Sequence, residues 1–308
     1  MNQMGHRLVL LSGGDSPERE VSLVSGRAVF EILKSSFDCE LCELDRNKIP
    51  DSIDASHDIV FPLIHGVYGE DGQLGAELTA RGIGFIGSDQ TASVLAFDKL
   101  ATKAIAEHLS IPTAPDTLAT LDVGQVIDPP NLSGDRFVVK PRQQGSSVGI
   151  FLADRGDVIE DGQVNAKDSY LIESYIEGMD LTVGILDGEA LGVVGIRPKS
   201  GFYDYENKYT AGNTEYDVPA DISDEKAELI KNWGMLVYTA CGCRDFARVD
   251  FRMNSSGDLF FLELNTIPGM TATSLFPKSA LISGYNFDSL IQRMVNPAIQ
   301  RFIQSLSF

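Results

Sequence analysis

The run FARVDFRMNSSGDLFFLELN, Phe246 to Asn265, decides how the rest of this chain is read. Two alternating apolar stretches flank Asn254-Ser255-Ser256-Gly257-Asp258, which is turn chemistry, so the simplest reading is a β-hairpin. Glu263 and Asn265 are two apart and share a strand face. Asp250 joins them only if the pairing register puts it there, which the residues alone leave open. Three hard oxygen ligands suit Mg²⁺ or Mn²⁺, and Mg²⁺ held by few carboxylates takes phosphates and water as well, so such a site implies a nucleotide partner. A solvated acidic edge strand is the competing reading.

Working outward, 308 residues with 43% hydrophobic content suffice for two or three domains with a real core. A formal charge of -19 argues against nucleic acid or an anionic membrane surface as the main partner and favours small-molecule chemistry. The apolar run Leu8 to Leu11 is too short for a signal-peptide core and no stretch is long enough to span a bilayer, so the expected location is the cytoplasm. The four cysteines fall as Cys39-Glu40-Leu41-Cys42 and Cys241-Gly242-Cys243, and the first pair has a redox or zinc spacing, but no nearby His or helix N-terminus lowers a thiol pKa. Structural thiols are the better reading, with a four-cysteine zinc site as the alternative.

The N-terminal part alternates strand and helix. Strands are predicted at Leu8–Leu11, Cys39–Leu44, Asp58–Ile64 and Ile83–Ile86, with helices at Val21–Lys34 and Gln73–Arg81. That order implies a parallel, Rossmann-like sheet ending near residue 90, with ligands gathering at the strand carboxyl ends, where Glu18 and His65 fall. The turn Ser12-Gly13-Gly14-Asp15 lacks the dinucleotide fingerprint GxGxxG. A single helix is predicted from about Ala92 to Leu109, with Val94, Phe97, Ala101 and Ile105 on its apolar stripe. Lys99 and Lys103 escape that stripe and read as solvated surface lysines.

RFVVKPRQQGSSVGI, Arg136 to Ile150, reads as a strand entering Lys140, a flexible Gly145-Ser146-Ser147 loop and a strand from Val148 to Leu152. Such a loop can close backbone amides over phosphate oxygens while the lysine neutralises charge, and an ordinary Gly/Ser hairpin turn competes with that reading. Tyr170–Tyr175, Leu181–Leu186 and Leu191–Ile196 suggest one antiparallel sheet. Arg197 to Val218 is a long polar segment, aromatic-rich at Phe202 to Tyr209, that reads as a lid ordering over substrate.

Taken together, SGGDSPEREVSLVSG, LIHGVYGEDGQLG, FDKLATK, VVKPRQQGSSVGI, GFYDYENKYT, RVDF and LELNTIPGMTATSLFPK resemble the D-alanine:D-alanine ligases, of the ATP-grasp superfamily, in that order. The resemblance runs from Leu8 to about Pro277. It implies an α/β protein in which a Rossmann-like N-terminal domain (1–95) precedes a two-lobed α+β ATP-grasp fold, with a central lobe (96–179) and a C-terminal lobe (180–308) carrying metals and lid. It also implies a homodimer and a reaction in which ATP phosphorylates one D-alanine before the amine of a second attacks the acyl phosphate.

By the same resemblance, Asp250, Glu263 and Asn265 would hold two Mg²⁺ or Mn²⁺ ions. Lys99 and Lys140 would take the α- and β-phosphates and Lys208 the transferred group. Glu173, Ser174, Ile176 and Asp180 would line the nucleoside. Arg248 and the Gly269 amide would stabilise the tetrahedral oxyanion. Glu18, linked to Ser146 and Tyr209, would receive the first D-alanine ammonium near His65, while Ser274 and Leu275 would take the second carboxylate. Tyr209 after Lys208 resembles ligases that make D-alanyl-D-alanine rather than those using D-lactate. The chain departs from the family pattern at Gly75 (usually Gln), Ser174 (often Lys) and Asp180 (usually Glu). A ligase for other D-amino or hydroxy acids, and a non-catalytic ATP-binding regulator of the same fold, are the alternatives. The closing helix, with Leu290, Met294, Ala298 and Phe302 on one stripe and Pro297 bending or breaking it, is expected on the C-terminal lobe.

Overall fold

A computed structural model describes residues 6–199 and 212–305, and within them the strands form three sheets. The first is parallel, in the order β2-β1-β3-β4, from β1 (Arg7–Gly13), β2 (Asp38–Leu44), β3 (Asp58–Pro62) and β4 (Gly84–Phe85). Helices α1 (Arg19–Leu33) and α2 (Gln73–Ala80) supply the crossovers. β1 and β3 are buried on both faces, the environment that a continuous apolar run requires. Arg7 ties three strands at one end, donating to Asp58 at 2.9 and 2.7 Å and to Glu40 at 2.6 Å. Cys39 packs into the cluster on one face and Cys42 into the cluster on the other, and burial pushes each thiol up to about 11. Side chains on opposite faces cannot share a metal or a disulfide, and the structural reading of these cysteines holds.

The predicted helix 92–109 is two helices, α3 (Gln90–Phe97) and α4 (Lys99–His108). Asp98 breaks it by adopting an extended backbone and capping α4, its side chain accepting from the amides of Leu100 and Ala101. The break turns the stripe, so Val94 is exposed while Lys99 and Lys103 are buried, contrary to the expectation of solvated lysines. The second sheet, β5-β8-β6-β7, is made of β5 (Asp116–Thr120), β6 (Arg136–Pro141), β7 (Phe151–Asp154) and β8 (Ser169–Ser174), all antiparallel neighbours. Two expectations change here. Residues 148–150 belong to the turn rather than to β7, because Ser146 and Ser147 both have left-handed backbone. The run 170–175 pairs with β5 and β6 instead of joining the strands that follow it.

The third sheet is β11-β10-β9-β12-β13, from β9 (Gly178–Leu186), β10 (Glu189–Pro198), β11 (Thr214–Asp217), β12 (Phe246–Asn254) and β13 (Leu259–Asn265). The ends of the predicted lid segment are thus strand, β10 pairing with β11 from Gly195↔Asp217 to Pro198↔Thr214. Helix α5 (Asp224–Ala240) covers one face of the sheet and α6 (Leu275–Ile282) the other. The closing helix α7 (Phe287–Ser305) runs unbroken through Pro297. Its stripe of Leu290, Met294, Ala298 and Phe302 shares a cluster with Leu8, Leu10 and Phe61 of the first sheet, so it seals that sheet as well as packing on α6. Apolar area on the underside of the parallel sheet needs a helix on that face, and α7 is the one that α1 leaves room for.

Phe246 joins the two bodies of this cluster, with its ring 6.0 Å from Phe61 in β3 and 6.1 Å from Phe276 in α6. Phe246→Ala is expected to cost ~3–5 kcal/mol. The loss should appear in urea denaturation as one earlier transition, and two separated transitions would show that the first and third sheets unfold independently.

Candidate active site

The face of the β12–β13 hairpin resolves the register that sequence left open. Asp250 pairs with Glu263 and Arg248 with Asn265, and a bulge follows between Asp250 and Phe251. The bulge lets Val249, Phe251, Phe261 and Leu264 all enter the core, and it turns both Leu262 and Glu263 toward cavities on the opposite side. Asp250 accepts from Arg248 at 2.9 and 2.8 Å, from Thr182 Oγ1 at 2.6 Å and from Asn265 Nδ2 at 3.3 Å. Lys99 Nζ lies 3.7 Å from Glu263 Oε2 and donates to the Gln144 carbonyl at 2.5 Å. Among the described residues no three His, Cys, Asp or Glu are grouped so that they could hold a metal ion by themselves. A divalent ion here would use two carboxylates and the Asn265 amide oxygen, an all-oxygen set that fits Mg²⁺ or Mn²⁺ and leaves positions for phosphate.

Asp98 and Arg142 fix the loop that overhangs this face. Arg142 donates to both Asp98 oxygens at 2.6–2.9 Å, and the Lys99 amide donates to the Arg142 carbonyl at 3.1 Å. Cap, lysine and Gly/Ser loop are therefore one assembly. Neither Asp98 nor Arg142 was singled out from sequence, although both sit inside quoted motifs, because their role exists only across 44 residues of chain.

A cavity of about 120 Å³ lies between the second and third sheets, with Val138, Lys140 and Glu173 on one side and Leu181, Leu262 and Asp250 on the other. Glu173 is buried, with Lys103 Nζ 2.8 Å from Oε1 and Lys140 Nζ 2.5 Å from Oε2. Desolvation alone would raise its pKa, and the two ammonium groups outweigh that and hold it below the ordinary range. Ser174, Ile176 and Asp180 line the same cavity. Arg252, also missed, donates to the Ile176 carbonyl at 2.5 Å and to Asp180 at 2.6 Å, with its guanidinium 5.4 Å from the Tyr175 ring centre.

The larger cavity, about 370 Å³, is lined by Glu18, His65, Ser146, Arg248, Gly269 and Ser274 among others, and it meets the smaller one at Glu263. Glu18 precedes α1 and His65 follows β3, so the carboxyl ends of the parallel sheet form one wall. Ser146 Oγ donates to Glu18. His65 Nδ1 is 2.8 Å from the Ile267 carbonyl, an acceptor that assigns the proton to Nδ1, and burial lowers the ring pKa so that the imidazole is neutral. Ser274 stands at the N-cap position of α6 without a capping bond from its side chain, whose Oγ accepts from the preceding Thr271 amide at 3.2 Å. Leu275 lines the cavity, and Tyr216 of β11 does so unannounced by sequence. A Cβ at Gly269 would stand 3.1 Å from Ser274 Oγ, which keeps the backbone there close to the cap. At Gly75 a Cβ would stand 3.3 Å from the Gln90 amide, so glycine lets α2 pack close to the start of α3. Lys208 and Tyr209 lie outside the described residues.

Glu70 is the buried group that sequence reading passed over. It accepts from the Gly66 amide at 2.7 Å and the Ile267 amide at 3.3 Å, clasping the first sheet's loop to the end of β13. Burial, and then the nearby Glu18 charge, push its carboxyl up to about 8.

A sequence profile of the family described as "D-ala D-ala ligase C-terminus" matches residues 135–296. The chain is 40% identical to a D-alanine–D-alanine ligase of Methylacidiphilum infernorum over 96% of each chain. It is also 40% identical to one of Aquifex aeolicus, over 94% of this chain and 99% of that one. The crystal structure of a D-alanine–D-alanine ligase from Bacillus anthracis complexed with ATP superposes with a TM-score of 0.79 at 26% identity, covering 97% of this chain and 99% of that one.

A carboxyl whose folded pKa is raised stabilises most below its unfolded value and loses that contribution as pH climbs through the folded value. Glu70→Gln should therefore gain stability over the wild type by ~1 kcal/mol or more between pH 5 and pH 8.5. Urea midpoints at the two pH values measure it, and a difference independent of pH would mean that Glu70 is ionised throughout.

Proposed function

This chain belongs to the D-alanine–D-alanine ligase family, and from that premise we propose how its own residues join two D-alanines at the expense of ATP. The observation that carries the reading is the junction of the two cavities at Glu263, beside Asp250, Asn265 and Arg248. A nucleoside in the smaller cavity would direct its phosphates across this face toward an amino acid in the larger one.

In this reading Glu173 accepts from the base amino group, Ser174 and Ile176 border the base, and Asp180 receives the ribose hydroxyls. Lys99 and Lys140 bind the α- and β-phosphates and Lys208 the γ-phosphoryl group. Asp250, Glu263 and Asn265 would hold two Mg²⁺ or Mn²⁺ ions, which neutralise phosphate charge when bound. The pairs Arg248–Asp250 and Lys99–Glu263 support this, because both carboxylates already draw cations. Glu18 pairs with the ammonium of the first D-alanine, with its geometry fixed by Ser146 and Tyr209. The neutral His65 packs beside that substrate without adding a competing positive charge. Transfer of the γ-phosphoryl group to the first carboxylate breaks the β–γ bond of ATP and leaves ADP and an acyl phosphate. The amine of the second D-alanine, whose carboxylate rests on Ser274 and the Leu275 amide, attacks it and displaces phosphate. Arg248 and the Gly269 amide face the oxyanion that forms in that attack, where preorganised donors contribute most to rate.

The domain limits that accompany the reading are 1–95, 96–179 and 180–308, with the nucleotide between the last two, and the assembly is a homodimer. Among the described residues no helix is long and apolar enough to cross a membrane. The cytoplasm, which supplies ATP, is the proposed location.

Phosphate release from ATP with Mg²⁺ and D-alanine, with mass identification of D-alanyl-D-alanine, tests the activity. Release that is equal with L-alanine, or absent, would contradict it. Arg248→Ala is expected to lower kcat by about 10²–10³ while ATP affinity changes little. Undiminished turnover removes Arg248 from the mechanism. Chelation of divalent ions should abolish release and Mn²⁺ should restore it, and activity that survives chelation would exclude the hairpin face as a metal site.

A further inference from the structure

Lys103 is a fully buried ammonium, its side chain 2% exposed, and the chemistry above gives it no task. It donates to the Ala114 carbonyl at 2.7 Å and to Glu173 Oε1 at 2.8 Å, and it pairs with Asp116 Oδ2 at 2.5 Å. Asp116 and Glu173 face each other across β5 and β8, and Ala114 and Glu173 both line the nucleotide cavity. One ammonium on α4 therefore fastens two strands of the second sheet at the point where the base would lie.

Lys140 touches the other oxygen of Glu173. It is also the lysine assigned to phosphate, and one ammonium cannot satisfy both anions equally. We propose that Lys103 is a positioning residue for base recognition: it keeps Glu173 ionised and fixed in rotamer when nucleotide draws Lys140 toward the phosphates. This rests on the reading that Glu173 accepts from the base amino group. Lys103 suits the task because its ammonium is spent on Ala114, Asp116 and Glu173, and its side chain does not line the cavity that Lys140 does. A buried carboxylate stripped of both ammonium groups would take up a proton and lose much of its strength as an acceptor.

The test compares ATP with ITP, which carries a carbonyl where adenine carries the amino group. Lys103→Met should raise KM for ATP by about tenfold, the loss expected when a charge-assisted hydrogen bond is weakened. KM for ITP and kcat with either nucleotide should move by less than about threefold, because neither depends on that bond. Lys103→Met combined with Asp116→Asn removes the carboxylate that the missing ammonium would orphan, and it should show the same loss of discrimination if the single variant fails to fold. In a Glu173→Gln background, Lys103→Met should change the ATP-to-ITP ratio no further. Retention of the wild-type ratio in the folded variants, with only a lower Tm, overturns the proposal and leaves Lys103 a structural tie. A wild-type enzyme indifferent to ATP and ITP overturns the role of Glu173, and the inference falls with it.

Discussion

The register of β12 against β13, with its bulge after Asp250, is the constraint on which the site depends. Strand side chains alternate, so a one-residue slip would bury Asp250 and expose Val249 and Phe251. The core excludes that slip, because both apolar side chains are fully enclosed. The same packing that stabilises the third sheet thereby presents two carboxylates, an amide and a guanidinium on one surface. The candidate site is here a by-product of correct burial.

Around that surface the chain repeats one electrostatic solution. Carboxylates and cations that water would otherwise solvate are held against each other: Asp250 with Arg248, Glu263 with Lys99, Glu173 with Lys103 and Lys140, Asp98 with Arg142. Pairs of this kind add little net stability once desolvation is counted. In the proposed function these charges stand ready to be shared with the polyphosphate of ATP in an enclosed space, where electrostatic interactions act strongly. Glu70 is the contrasting case, a carboxyl held by two backbone amides near a second carboxylate and pushed toward its neutral form.

Much of the fold was legible because its signals are local. The β-turn-α opening, the hairpin turn at 254–258 and the apolar runs of β1 and β3 each announce themselves within a dozen residues, and the observed elements follow them closely. The misreadings share one cause. The stripe predicted over 92–109 ignored Asp98, whose extended backbone and capping side chain, gripped by Arg142 from 44 residues away, end one helix and start the next. The strand 169–174 carries the same short buried apolar run as its successors, and nothing local says which sheet it enters. The expectation for α7 was right about its stripe and incomplete about its partner, since an amphipathic pattern reports that a face is buried and not against what.

By itself the sequence determined the family and the kind of chemistry to look for: an acidic hairpin with oxygen-bearing side chains, a lysine before a Gly/Ser loop, a net charge of -19, and an ordered set of motifs that one enzyme family shares. Only the tertiary structure decided which groups act together. Lys103 read as a surface lysine until α4 was seen to press it between β5 and β8, and Glu70 was one acid among many until its amide partners appeared 4 and 197 residues away. Residue type fixes what a side chain can do. Burial and distance, set by packing across the whole chain, fix what it does.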